Sequence, residues 1–264
     1  MQTIRDFSLS VALALLIPAG LLAQGAVRSA GTLPHFVYGG GWKTTWFAVN
    51  TTNNSNAAVQ LNFIGDDGTP LVIPLTNPLT GETLPPASTI SSTVSPFGMV
   101  AVTSESTNPT GKTGWVQVST DSATTTVAEI FEYTSLPDSA HNGVINVQEG
   151  GSPVVNVLAP AYLMPFVQAA GSSMAVAISN ITTNTISVTV TIRNYLGRTK
   201  GIHSITLTPQ QHMAFLLSAE FPETAGVAGS IEFSTPTAGQ FSVMGLSYNK
   251  THAFTSVVST PVSN

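Results

Sequence analysis

Val59-Gln60-Leu61-Asn62-Phe63 alternates apolar and polar residues one for one, and so does Ile186-Ser187-Val188-Thr189-Val190-Thr191-Ile192. A period of two sends successive side chains to opposite faces of an extended strand, so each run has one face to bury and one to leave in water. The outward positions hold Thr, Ser, Asn and Gln. Threonine's branched Cβ also suits a pleated surface. The same texture fills the chain: short β-branched or aromatic runs separated by Gly, Pro, Asn, Asp and Ser. Gly65-Asp66-Asp67-Gly68 and Asn194-Tyr195-Leu196-Gly197 read as hairpin connections, where Gly and Asn tolerate positive φ. The best helix signal is Ser218-Ala219-Glu220-Phe221, with Ser218 placed to cap one turn before Pro222. The chain is expected to be all-β and antiparallel.

The pattern is also written twice. Phe36-Val37 precedes Asn50 by the same distance as Phe166-Val167 precedes Asn180. Each asparagine ends an apolar run, Trp46-Phe47-Ala48-Val49 or Val176-Ala177-Ile178-Ser179, and each is followed by a Thr/Asn-rich turn. The alternating strands and their Gly turns come next. Farther on, Gly114-Trp115-Val116-Gln117-Val118 matches Gly229-Ser230-Ile231-Glu232-Phe233, and Phe131-Glu132-Tyr133 matches Leu246-Ser247-Tyr248. A shared order of several short matches implies duplication of a unit of about 100 residues, the size of an Ig-like antiparallel β-sandwich. A jelly roll and one continuous sandwich are the alternatives. The boundaries read as a first module over 33–136, a linker and lead-in over 137–158, and a second module over 159–260. Residues 76–88, with Pro78, Gly81, Pro85 and Pro86, read as a loop of the first module.

His35-Phe36, then Gly39-Gly40-Gly41-Trp42-Lys43-Thr44-Thr45 and a strand ending in Asn50, resembles the opening of secreted bacterial proteins with two tandem Ig-like β-sandwich modules. Phe215-Leu216-Leu217-Ser218, Phe221-Pro222, the Gly229 strand and Ala253-Phe254-Thr255-Ser256 are similar to their later part. The resemblance covers most of residues 34–257. It implies export and paired sandwiches and brings no catalytic residue with it.

Residues 1–23 support export on their own terms. Arg5 gives a positive start, and Val11 to Ala23 is an apolar run too short to span a hydrocarbon core, which needs about 20 residues. They read as a signal peptide, cleaved after Ala23 or Gly25, of a protein that is secreted or held at the cell surface. No later stretch reads as a membrane span. The chain has no cysteine, which excludes disulfides, thiolate metal sites and a cysteine nucleophile. Charged residues are 8% of the 264, against roughly 25% in an average soluble domain. The 8 Lys+Arg face 13 Asp+Glu and form no basic block, which argues against nucleic acid and anionic membrane surfaces.

Catalytic patterns fail individually. Asn108-Pro109-Thr110-Gly111-Lys112-Thr113 ends like a phosphate-binding loop, but the first glycine falls on Ser106 and no helix follows. Asp66-Asp67-Gly68 lacks the further oxygen ligands of a calcium loop. The five histidines, His35, His141, His203, His212 and His252, have no metal-binding spacing and read as isolated loop or strand-edge residues. There is no G-x-S-x-G elbow. Glu129 and Glu132 fall on opposite faces of one strand, which does not suit paired acid–base work. Lys43 is considered for an isopeptide cross-link and otherwise reads as exposed. Asn50, Asn53, Asn180 and Asn249 each begin an N-x-S/T match and read as turn residues.

The aromatics Trp42, Trp115 and Tyr38 are the candidate ligand contacts. Trp42 follows three glycines, and Trp115 stands where the second copy has Ser230. Exposed, they would stack on a sugar or anchor a protein; the competing reading is packing over the end of a module. Trp46 reads as core. The expectation is a non-enzymatic protein without a cofactor, structural or interacting with cell-surface proteins; the alternatives are a carbohydrate-binding or adhesin module recognising polysaccharide and, ranked last, a hydrolytic enzyme. Unpaired edge strands would offer assembly by strand addition.

Overall fold

The computed structural model describes residues 28–104, 108–134, 147–156, 158–250 and 253–262. The expected signal peptide, both cleavage positions, His141 and His252 lie outside them. The described chain is almost entirely antiparallel β. Its first half runs β1 (Arg28–Tyr38), β2 (Trp42–Asn50), β3 (Ala57–Gly65), β4 (Ile73–Thr76), β5 (Thr83–Ala87), β6 (Thr89–Val94), β7 (Met99–Ser104), β8 (Lys112–Thr120), β9 (Thr125–Thr134) and β10 (Val147–Pro153). The second half runs β11 (Ala161–Val167), β12 (Ser173–Asn180), β13 (Ile186–Asn194), β14 (Thr199–Leu207), β15 (His212–Leu216), β16 (Ala228–Ser234), β17 (Phe241–Tyr248), β18 (Phe254–Val257) and β19 (Thr260–Val262). A single helical turn, α1 (Leu217–Glu220), follows β15.

Four sheets result. Sheet I has the order β1-β8-β3-β6 and sheet II the order β10-β9-β2-β7-β4-β5. Sheet III is β14-β13-β16-β11-β19 and sheet IV is β15-β12-β17-β18. Sheets I and II enclose one apolar cluster with Phe36, Trp46, Phe63 and Val116 at its centre. Sheets III and IV enclose another around Tyr162, Ile178, Val190 and Phe233. The alternating runs behave as their period demands: Val59, Leu61 and Phe63 are buried, as are Ile186, Val188, Val190 and Ile192, with their polar neighbours turned outward.

The two halves share their pairing scheme. In sheet I, β8 lies between β1 and β3; in sheet III, β16 lies between β11 and β13. In sheet II, β2 separates β9 from β7; in sheet IV, β12 separates β17 from β15. The repeated residues do repeated work. Phe36 pairs with Gly114, and Phe166 pairs with Gly229. A Cβ on Gly114 would strike the Ile64 carbonyl and the Phe36 ring, and one on Gly229 would strike the Arg193 carbonyl. The buried amides of Asn50 and Asn180 are tied alike. Each side-chain oxygen accepts the N–H and O–H of the threonine two residues on, and each NH₂ donates to backbone carbonyls. Both asparagines are therefore internal struts of a turn.

Three local expectations are corrected. Residues 83–87 of the expected 76–88 loop form β5, an edge strand where the missing N–H groups of Pro85 and Pro86 cost no ladder bond. Residues 147–153 of the expected linker form β10, paired along its length with β9. Gly150 in that strand does not break it; the Phe254 ring crosses where a Cβ would stand. Ser218 does not cap α1, whose N-cap is Leu216. Lys43 sits at the surface against Glu132 at 2.8 Å, not in a sandwich core, so the cross-link reading loses its premise.

Candidate functional site

The two halves meet through a third apolar cluster. Val37 and Phe131 of the first half pack with Ala177, Met244, Leu246 and Phe254 of the second. Strand β12 consequently buries both faces: Met174, Val176 and Ile178 enter the core of its own half, while Ala177 faces the other half.

A bulge in β1 aims His35 into this contact. Leu33 pairs with Val116 but Phe36 with Gly114, so β1 carries one extra residue at Pro34-His35. The freed Pro34 carbonyl accepts the Ser179 hydroxyl of the second half at 2.9 Å. The His35 ring stacks on His212 with centroids 5.1 Å apart, and its Nδ1 lies 3.1 Å from His212 Nε2. His212 Nδ1 is 2.7 Å from an Asp66 carboxylate oxygen. Asp66 also accepts the Thr113 hydroxyl, at 2.8 and 2.9 Å. Burial first, and the neighbouring His212 second, hold the His35 imidazole well below its ordinary value.

In the tautomer in which His212 gives Nδ1–H to the carboxylate and leaves Nε2 without a proton, that Nε2 takes Nδ1–H of His35. His35 Nε2 is left as a bare acceptor, with no hydrogen-bond partner among the described residues and without being sealed from the space beside it. That space is a cleft of about 280 Å³ between the halves, which His35 lines together with Trp42, Ala175, Ala214, Leu246 and Tyr248. No hydroxyl bonds to Nε2 among the described residues, so the relay has an acceptor and no nucleophile.

Trp42 owes its place to the turn before it. Gly39, Gly40 and Gly41 all have positive φ, 75, 62 and 90°. An L-residue reaches that region only with strain, and not three in succession. The half-buried Trp42 ring lies 4.7 Å from Tyr133 and 5.2 Å from Phe254. The other two candidate contacts are not at the surface. Trp115 is fully buried, its indole N–H donating to the Gln210 carbonyl of the other half at 2.8 Å. Tyr38 is buried against Phe36, and burial raises its hydroxyl's pKa. Both are corrected from ligand contacts to packing residues, and the competing reading holds for them.

His35 and His212, expected as isolated histidines, form the contact between halves. Among the described residues no group of three or more His, Asp or Glu side chains could hold a metal ion. Asp67, beside Asp66, accepts the N–H and O–H of Thr69 at 2.9 and 2.7 Å and closes its own turn.

One further acid is out of place in an apolar wall. Glu129 is 1% exposed; Trp46 Nε1 donates to its Oε2 at 3.2 Å, and its Oε1 has no partner. Burial pushes this carboxyl well above the usual carboxylate range, against the smaller downward pull of the Trp46 bond. Glu132 faces away from it and pairs with Lys43, so the two acids share no cleft.

The sequence matches no protein-family model and no curated protein. Among the described residues no helix is long and apolar enough to cross a membrane.

Proposed function

We propose that this is a non-enzymatic protein, secreted or held at the surface of a bacterium, in which two tandem Ig-like sandwich modules act as a rigid structural or protein-interaction unit. One observation carries the reading: the halves share a buried contact built from Val37, Phe131, Ala177, Met244 and the His35–His212 stack, as a rigid spacer requires and a pair of independent binding modules does not. The Thr- and Ser-rich outer faces support it, since they keep a weakly charged chain in water without presenting a catalytic cluster. The apolar, charge-poor N-terminus supports export.

The carbohydrate-binding alternative is less well supported. Trp115 and Tyr38 are buried, and the walls around Trp42 are mostly apolar. A sugar needs several polar partners, and one acceptor cannot satisfy its hydroxyls.

The test is N-terminal sequencing of the protein recovered from each fraction of the producing cell, with cross-linking of intact cells. A chain beginning at Gln24 or Ala26 in the medium or surface fraction, cross-linked into a discrete complex, is expected. Intact protein beginning at Met1 in the cytoplasm overturns the assignment.

A further inference from the structure

The geometry points to the cleft between the halves as a binding site for a small planar aromatic molecule that carries a single hydroxyl, such as a naphthol. This goes beyond the surface role proposed above and does not depend on it. At about 280 Å³ the cleft lies just below the ~300–1,000 Å³ range of ligand pockets, a size that suits one or two fused rings rather than a strand or helix. Ala175, Ala177 and Ala214 leave space that larger side chains would fill, and Trp42 and Tyr248 supply ring contacts.

The polarity is equally restrictive. No Asp, Glu, Lys or Arg lines the cleft, so a carboxylate, phosphate or ammonium would lose its hydration without a counter-charge. The polar side chains on the lining are Thr113, whose hydroxyl is already given to Asp66, Tyr248, Trp42 and His35, whose ring is 6% exposed with its Nδ1 against His212. With His212 Nε2 unprotonated, His35 Nε2 faces the apolar cleft as an acceptor and favours a ligand that brings one O–H over one that brings none. An apolar ring bearing one donor answers both walls and floor.

The full chain is titrated calorimetrically with 2-naphthol, 2-methoxynaphthalene and N-acetyltyrosinamide. The expected result is saturable one-site binding of 2-naphthol, with 2-methoxynaphthalene, which cannot donate, at least ~10-fold weaker. Ala214→Trp fills the mouth from an exposed position on β15 and should abolish binding while leaving the melting temperature unchanged. His35→Phe should bring the two naphthalenes to equal affinity; if that variant does not fold, Ala214→Trp decides. Equal affinities in the native protein, binding that survives Ala214→Trp, or no saturable binding overturns the proposal. Tighter binding of N-acetyltyrosinamide than of 2-naphthol also overturns it, because the cleft would then read a tyrosine of a partner chain.

Discussion

Glu129 and His35 are both buried ionisable residues, and they pull stability in opposite directions with pH. The carboxyl of Glu129 has a folded pKa raised above its unfolded value of 4.5. Its cost is therefore absent below about pH 4.5 and grows as pH rises towards the folded pKa. Glu129→Gln keeps the shape and an acceptor for Trp46 without the charge. It should raise the melting temperature at pH 8 by several degrees, at about 2–4 °C per kcal/mol for a chain of this size, and change little at pH 4. A variant that gains equally at both pH values would remove ionisation as the cause. His35 has a folded pKa depressed below its unfolded 6.5, so its contribution is complete above pH 6.5 and is lost as pH falls towards the folded pKa. Acid titration of stability should steepen below pH 6.5 in the native protein and flatten there in His35→Phe. Neither role was legible from single residues. His35 and His212 lie 177 positions apart, and no local spacing connects them.

Strands were the most legible level, because period two is a direct image of one buried face. Val59–Phe63 and Ile186–Ile192 fall inside β3 and β13 for that reason. The misread elements, β5 and β10, carry prolines or glycines that usually interrupt a strand. Edge position makes the prolines harmless, and a crossing ring makes a glycine necessary. The Phe–Gly pairs are the sharpest test at this scale. Gly229→Ala places a methyl on the Arg193 carbonyl, a backbone atom that cannot turn aside. It should cost at least about 2 kcal/mol in urea denaturation, beyond what a strand glycine replaced in open space would show. Gly197→Ala is the matched control: its positive φ makes it strained, but nothing lies within 4 Å of the new methyl. Similar losses at the two sites would mean that the close approach of Gly229 to the Arg193 carbonyl is not what requires a glycine there.

For the whole molecule, the parallel order of strands in the two halves was visible in the sequence and the contact between the halves was not. Two positions where the halves differ nevertheless lie at the contact. Trp115 stands against Ser230, and its indole reaches Gln210 in the other half. Trp42 stands against Ser172 in the second copy and packs on Phe254. Two similar sandwiches meeting through unlike surfaces must break their symmetry there, so an aromatic without a counterpart marks the interface as readily as a ligand surface. The turn at Gly68 shows how closely the halves approach, since a Cβ there would meet the Pro209 carbonyl.

This contact makes one unit of two halves. Differential scanning calorimetry of the full chain is the test, with Ala177→Asp, which buries an unpaired charge in the contact, as the comparison. The native protein should show a single transition whose calorimetric and van't Hoff enthalpies agree, and the variant should show two. Two separate transitions in the native protein would contradict it.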